Sequence, residues 1–379
     1  MKKRLILSAC IPLLAITLSG CGNIIKYEDN LEKYIYTMQY HEKFNILQLT
    51  DIHWSANTST MASKNYLDKL FKEVDTKIKN DQGSSAKIDL VELTGDQFML
   101  SNGYHVKTFL SYFESKAIEY GFMYAAIWGN HDRHGIYNPN WLSEQFSKAK
   151  HCIYIENEDD LYGRSNFVIN LTIDGTMNSA TKWQLANLDS GASFSETVVS
   201  PFRDYDYIRK DQTRWWKLEH DLVGTSTTVP TIAYYHIPQD DNQKAYEIKD
   251  TLTNKFFKLE GFADNGNPKY ESDFIKVGRE NNLKAAFMGH AHNVDWTVDY
   301  DGVVLGLGVK TGTELYFAHI DVNDQTLEVK EGLDSVGINE SFDLIGASLV
   351  TITDDNSFDL EHLYFNERTS SDFVRWVKW

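Results

Sequence analysis

The chain has 379 residues, 42% of them apolar and 24% charged, with 37 basic against 54 acidic side chains and a formal net charge of −17. That length is ample to bury a core as one large domain or two ordinary ones. So acidic a chain is a poor candidate for wrapping nucleic acid by phosphate neutralisation, and no specific nucleic-acid partner is expected. Three cysteines exclude a disulfide scaffold, and six prolines with 23 glycines exclude collagen-like or low-complexity character.

The chain opens on a basic segment, Met1-Lys2-Lys3-Arg4, followed by 14 residues from Leu5 to Leu18 that are apolar and broken by Pro12. A bilayer-spanning helix needs roughly 20 residues, so a cleavable signal fits better. Leu18-Ser19-Gly20-Cys21 resembles the lipobox of bacterial lipoproteins, in which cleavage falls before the cysteine and its thiol carries a diacylglycerol. The competing reading is a plain signal peptide with a chance cysteine. The resemblance implies a signal peptide over 1–20, lipidation of Cys21, and a tether and edge strand over 21–39. It also implies attachment to the membrane, through that lipid anchor, at the extracytoplasmic face of the cell membrane. Removing residues 1–20 takes away three cations and no acid, leaving −20. Cys152 is then the one free thiol, expected to be a small, inert apolar residue.

The rest, residues 40–379, reads as one domain. Tyr34–Tyr40 and Phe44–Leu49, separated by His41-Glu42-Lys43, suggest a hairpin feeding the first core strand. Leu67, Leu70, Phe71, Val74 and Ile78 recur at helical spacing, as do Val106, Phe109, Leu110, Phe113 and Ala117. Short apolar runs at Ile88–Leu93 and Phe122–Ile127 alternate with these helices. Phe167–Ile173 and Trp183–Leu188 read as strands, Gln212–Leu222 as a helix, and Thr231–Tyr235 and Ala285–Met288 as strands again. Beyond Val294 strands dominate, at Val303–Leu307, Leu315–Ile320, Leu327–Lys330 and Ser348–Thr353. Asp189–Tyr207 and the acidic Gln239–Pro268 read as long surface loops. The pattern is α/β: a sandwich of two sheets flanked by outer helices.

Chemistry-bearing residues follow the strands. Thr50-Asp51-Ile52-His53 comes after Leu49, Thr94-Gly95-Asp96 after Leu93, and Gly129-Asn130-His131-Asp132 closely after Ile127. His236 follows Tyr235, and Gly289-His290-Ala291-His292 follows Met288. Ligands bind at the carboxyl ends of strands in α/β sheets. Seven Asp, Asn and His side chains gathered there would be costly to bury unless cations offset the cost, which points to a polynuclear metal site. Asp-x-His and Gly-Asp are each weak signals, Gly-His-x-His is intermediate, and Gly-Asn-His-Asp is specific; their order and strand-end context strengthen all of them.

This ordered set resembles the calcineurin-like metallophosphoesterase superfamily over residues about 40–310. Phe44–Asp51, Leu188-Asp189-Ser190-Gly191, Asp211–Trp215 and Tyr235-His236-Ile237-Pro238 resemble its purple-acid-phosphatase-related branch. The resemblance implies a four-layer fold with a dinuclear metal site at the strand carboxyl ends. One divalent ion would take Asp51, His53 and His292, and the other Asn130, His236 and His290. Asp96 would bridge them together with a hydroxide that attacks phosphorus. His131 would face the substrate and protonate the leaving oxygen, with Asp132 orienting it. Two divalent ions with Asp51, Asp96 and one hydroxide leave a site charge of about +1, suited to a phosphate ester.

Purple-type members carry an iron-ligating tyrosine three residues after the Gly-Asp aspartate. Met99 stands there, which argues against a tyrosine–ferric centre and leaves Mn, Fe or Zn open. Ala291 replaces an aspartate frequent in the branch, at a position that is not a ligand. His134 and Arg133 could touch substrate or be ordinary surface residues. Trp54, Trp141, Trp215 and Trp216 could wall a substrate pocket, although core packing suits them better. His151, His220 and His319 read as structural. The functional expectation is a surface-anchored hydrolase of phosphomonoesters, with phosphodiesters and nucleotides open. The alternative is a catalytically silent lipoprotein that binds a phospho-ligand or partner on the same scaffold.

Overall fold

The computed structural model describes residues 30–55, 59–133, 139–192, 205–224, 229–248, 270–315, 317, 319–321, 323, 330, 333–334, 338–353, 356–365 and 374–378. The signal segment, Cys21 and His134 lie outside these residues. Among the described residues, no helix is long and apolar enough to cross a membrane.

In chain order the first half contains β1 (Ile35–Gln39), β2 (Phe44–Leu49), α1 (Ser59–Gln82), β3 (Leu90–Thr94), α2 (Gly103–Tyr120), β4 (Met123–Ile127), α3 (Pro139–Ser147) and β5 (Cys152–Ile153). There follow β6 (Phe167–Thr172), β7 (Thr181–Asn187), α4 (Lys210–Leu222), β8 (Thr231–Tyr234), α5 (Asp240–Glu247), α6 (Phe274–Glu280) and β9 (Leu283–Met288). The last stretch holds β10 (Thr297–Tyr300), β11 (Val303–Leu307), β12 (His319–Ile320), β13 (Phe342–Ile352), β14 (Phe358–Phe365) and β15 (Val374–Lys378). One sheet has the order β1-β6-β7-β8-β9-β11-β10; the other runs β15-β14-β13-β2-β3-β4-β5, with β12 beside β13. Within them β2-β3-β4 and β7-β8-β9 are parallel, so each run points its carboxyl ends one way.

Side-chain alternation along β2 builds the layers. Phe44 and Ile46 enter the core cluster that contains Ile169, Leu185, Ile232 and Phe287 of the opposite sheet. Leu47 and Leu49 join a second cluster with Leu67 and Leu70 of α1 and Phe109 and Phe113 of α2. Helix α2 starts where the Asn102 side chain accepts the Tyr104 and His105 amides, and stops at Gly121, whose φ is 75°. On the other side α4 and α6 meet through Trp216 and Phe274, and α6 lies against β9. Helices, sheet, sheet, helices are the four layers expected.

Four expectations need correction. Tyr34–Tyr40 and Phe44–Leu49 do not form a hairpin: β1 pairs in parallel with β6, whereas β2 pairs with β3 and β13 in the other sheet. Every residue of β2 is buried, which demands a central position with a layer on each face, whereas β1 is half-exposed and suits an edge. Gln239–Pro268 is not loop throughout. Residues 240–247 form α5, because Gln239 and Asn242 make a reciprocal capping box and Asp240 and Asp241 sit at the positive end of the helix dipole. Asp189–Tyr207 does not begin at the surface, since Leu188, Asp189 and Ser190 are buried. Among the described residues of the 315–320 run, Leu315 and Phe317 are not in a strand and His319–Ile320 are. The strand expected at Leu327–Lys330 falls almost wholly outside the described residues.

Candidate metal centre

The ends of β2, β3 and β4 in one sheet and of β8 and β9 in the other meet at a single rim. The loops after β2 and β3 stay in register there: Asp51 N donates to Gly95 O (3.1 Å), His53 N to Asp96 O (3.0 Å) and Trp54 N to Gln97 O (2.8 Å). Asp51, His53, Asp96 and His290 all have left-handed backbones, with φ of 53°, 51°, 52° and 77°. Four such non-glycine residues in one small region are a concentration of backbone strain of the kind that marks functional sites.

Two groups of ligand-type atoms result, Asp51 with His53 and His292, and Asp96 with His236 and His290; within each, the atoms lie within 4.8 Å of one another. All six residues are buried. Asp51 Oδ1 lies 3.2 Å from His292 Nε2 and 3.7 Å from His53 Nε2. His53 Nε2 and His292 Nε2 face each other at 3.0 Å. His236 Nδ1 donates to the Thr94 carbonyl (2.9 Å), which turns its Nε2 towards Asn130 Oδ1 at 3.2 Å and Asp96 Oδ2 at 3.4 Å. His53 Nε2 lies 3.9 Å from the same Asp96 oxygen, which places Asp96 between the two groups. Carboxylate, amide and imidazole lone pairs converging in a buried space fit divalent cations of the Mn, Fe or Zn type.

Electrostatics point the same way. Burial and then Lys310 push the His53 imidazole down to about 4, and the same two causes lower His292. Both rings are therefore neutral near pH 7, the form that ligates metal. Burial works against ionisation of Asp51 and Asp96, yet the histidines overcome it and hold both well below the usual carboxylate range. Burial would lower His236, but Asp96 and then Asp51 outweigh it and push it up to about 9, so in this geometry a proton takes the place a cation would hold.

The motif glycines are explained by close approach. A Cβ on Gly129 would meet Asp96 Oδ1 at 2.2 Å, and one on Gly289 would meet Thr50 Oγ1 at 1.9 Å. Asp51 Oδ2 in turn accepts from Thr50 Oγ1 (2.8 Å) and His290 N (2.9 Å).

His131 stands half-exposed at the rim. Its amide donates to Asp96 Oδ1 (2.7 Å), and its ring lies edge-on to His53 with centroids 5.0 Å apart. Asp132 is buried; its carboxylate accepts from Phe98 N (3.0 Å) and Gly129 N (2.8 Å), tying the loop after β4 to the loop after β3. Burial, then Asp96, raises its pKa. Arg133 is taken by Asp189, bonding both carboxylate oxygens through Nη2. Trp54, Trp215 and Trp216 are fully buried, and Trp141 packs on the cluster around α1 and α2. His151 pairs with Glu114, His220 with the Val229 carbonyl and His319 with Asp343, all away from the centre.

Three neighbours were not singled out from sequence. Ser190 Oγ accepts from His236 N (3.2 Å) and Ile237 N (2.8 Å), which gives the Leu188–Gly191 motif a task. Tyr205 packs edge-on against His290, centroids 4.4 Å apart. Lys310 is buried and donates to the Asp51 carbonyl (2.7 Å). Only the motif containing Ser190 carried a sequence signal.

A family model described as calcineurin-like phosphoesterase matches residues 44–294. The chain belongs to the calcineurin-like phosphoesterase family. Among curated proteins it is 27% identical over 297 residues to "Probable inactive purple acid phosphatase 28" of Arabidopsis thaliana, spanning 72% of this chain and 71% of that protein. It is 26% identical over 271 residues to "Phosphatase DCR2" of Saccharomyces cerevisiae, spanning 68% of this chain and 46% of that one. Among solved structures, a dimetal phosphatase from Danio rerio superposes with a TM-score of 0.47 at 10% identity, covering 89% of this chain and 99% of that one.

Proposed function

We propose that this protein is a surface-anchored, dinuclear metal-dependent phosphoesterase acting first on phosphomonoesters, with phosphodiesters and nucleotides as the other ester classes. The observation that supports this most is the pair of buried lone-pair clusters meeting at Asp96, with His131 at their open side. Asp51, His53 and His292 would hold one ion and Asn130, His236 and His290 the other, with Asp96 shared. When bound, the ions supply positive charge for the phosphate and make water acidic enough to act as a nucleophile. His131, fixed by its amide, stabilises the phosphoryl charge and protonates the leaving oxygen. Asp132 acts on His131 through the loop it ties down. Lipidated Cys21 holds the domain, residues 40–379, at the extracytoplasmic face of the cell membrane.

The silent-binder reading draws support from relatives whose names carry the word inactive. Against it, all seven ligand residues and His131 are present in this chain. An assay across phosphomonoesters, phosphodiesters and nucleotides with added Mn²⁺ decides. Turnover that a chelator abolishes is expected; tight phosphate binding without turnover would favour the silent binder.

A further inference from the structure

The segment from Val309 to Gly312 fastens onto the turn that carries Asp51. Thr311 N donates to Thr50 O (2.8 Å), and Thr50 N donates to Thr311 Oγ1 (3.1 Å). Thr50 and Lys310 form a parallel bridge, and Gly346 N on β13 secures the strap from behind by donating to Lys310 O (2.8 Å). Two donors converge on one carbonyl: Gly312 N reaches Asp51 O at 3.2 Å and Lys310 Nζ reaches it at 2.7 Å. No side chain could replace Gly312, since a Cβ there would meet Ile52 O at 1.9 Å. The strap therefore presses directly against the strained peptide of a ligand residue, whose φ is 53°.

A buried lysine is a costly choice for filling space, because methionine or leucine would pack without a polar head. What lysine adds is an N–H donor on a long stem. We propose that Lys310 is a positioning residue of the metal centre, holding the Asp51 peptide in the left-handed conformation that aims its carboxylate at His53 and His292. The role needs a donor and is served by the ammonium and the neutral amine alike. It rests on the proposed metal site but not on turnover.

The test is calorimetric titration of Mn²⁺ into metal-stripped full-length wild type and K310M, with far-UV circular dichroism as the check on folding. K310M should lose roughly 10–100-fold in affinity at one of the two sites, the scale seen when a hydrogen-bonded support of a ligand is removed. The other site should change far less, and the Mn²⁺–Mn²⁺ coupling in electron paramagnetic resonance should weaken. A lysine that only props up the fold would lower Tm and leave both affinities in place; that result, or a gain at both sites, overturns the proposal. Where K310M does not fold, K310L, which likewise has no donor, is read by the same criteria. A wild type that binds two Mn²⁺ but hydrolyses no ester would sink the proposed function and leave this test standing.

Discussion

Glu92 and Asp96 sit four residues apart on β3 and the loop that follows it, both fully buried, and they meet opposite fates. Asp96 is ringed by His236, His53 and the His131 amide, and stays ionised against the pull of burial. Glu92 points between the sheets near Asn187 and Tyr234. Among the described residues neither of its oxygens meets a hydrogen-bond partner. Burial pushes it up to about 8. Burial alone thus makes a carboxyl group a neutral acid. Surrounding imidazoles make it an anion ready for a cation. The difference between core and centre lies in neighbours, not depth.

The sharpest way to break that contrast is Asp96→Asn. Removing the shared anion should abolish ester hydrolysis and cost more than the roughly 10–100-fold in metal affinity that loss of an outer support costs. Metal analysis of the purified variant checks it. Substituting His131 with alanine should leave the lone-pair clusters intact and keep bound metal. It should slow turnover by roughly 10²–10⁴-fold, most for esters with poor leaving groups. Steady-state kinetics against leaving-group pKa is the readout. The smallest effect belongs to the core member of the pair. Glu92 has a folded pKa of about 8 against an ordinary 4.5, so its protonated form favours the fold. Its contribution is complete below about pH 4.5 and is lost as pH rises towards 8, by up to about 1.4 kcal/mol per pH unit. Glu92→Gln should flatten that slope in urea unfolding between pH 5 and 8 while leaving metal content unchanged.

The centre was largely legible because its residues fall at strand ends, where local periodicity and motif order coincide. Asp51, His53, Asp96, Asn130, His236, His290 and His292 all arrive at the rim. The partner of β1 was not legible, because a short β-prone run fits an edge of either sheet and only the full burial of β2 forces the two apart. The helix at Asp240–Glu247 was hidden by its acidic composition, which reads as loop unless the capping pair Gln239 and Asn242 is recognised. Lys310 gave no signal: its task depends on a contact with Asp51, 259 residues away along the chain.

The most direct test of the whole account is the metal content of the purified wild-type chain after loading with Mn²⁺, measured by plasma mass spectrometry. Two tightly held ions per chain are predicted. A folded chain that retains none, or whose Asp96→Asn variant retains as much as wild type, would contradict it.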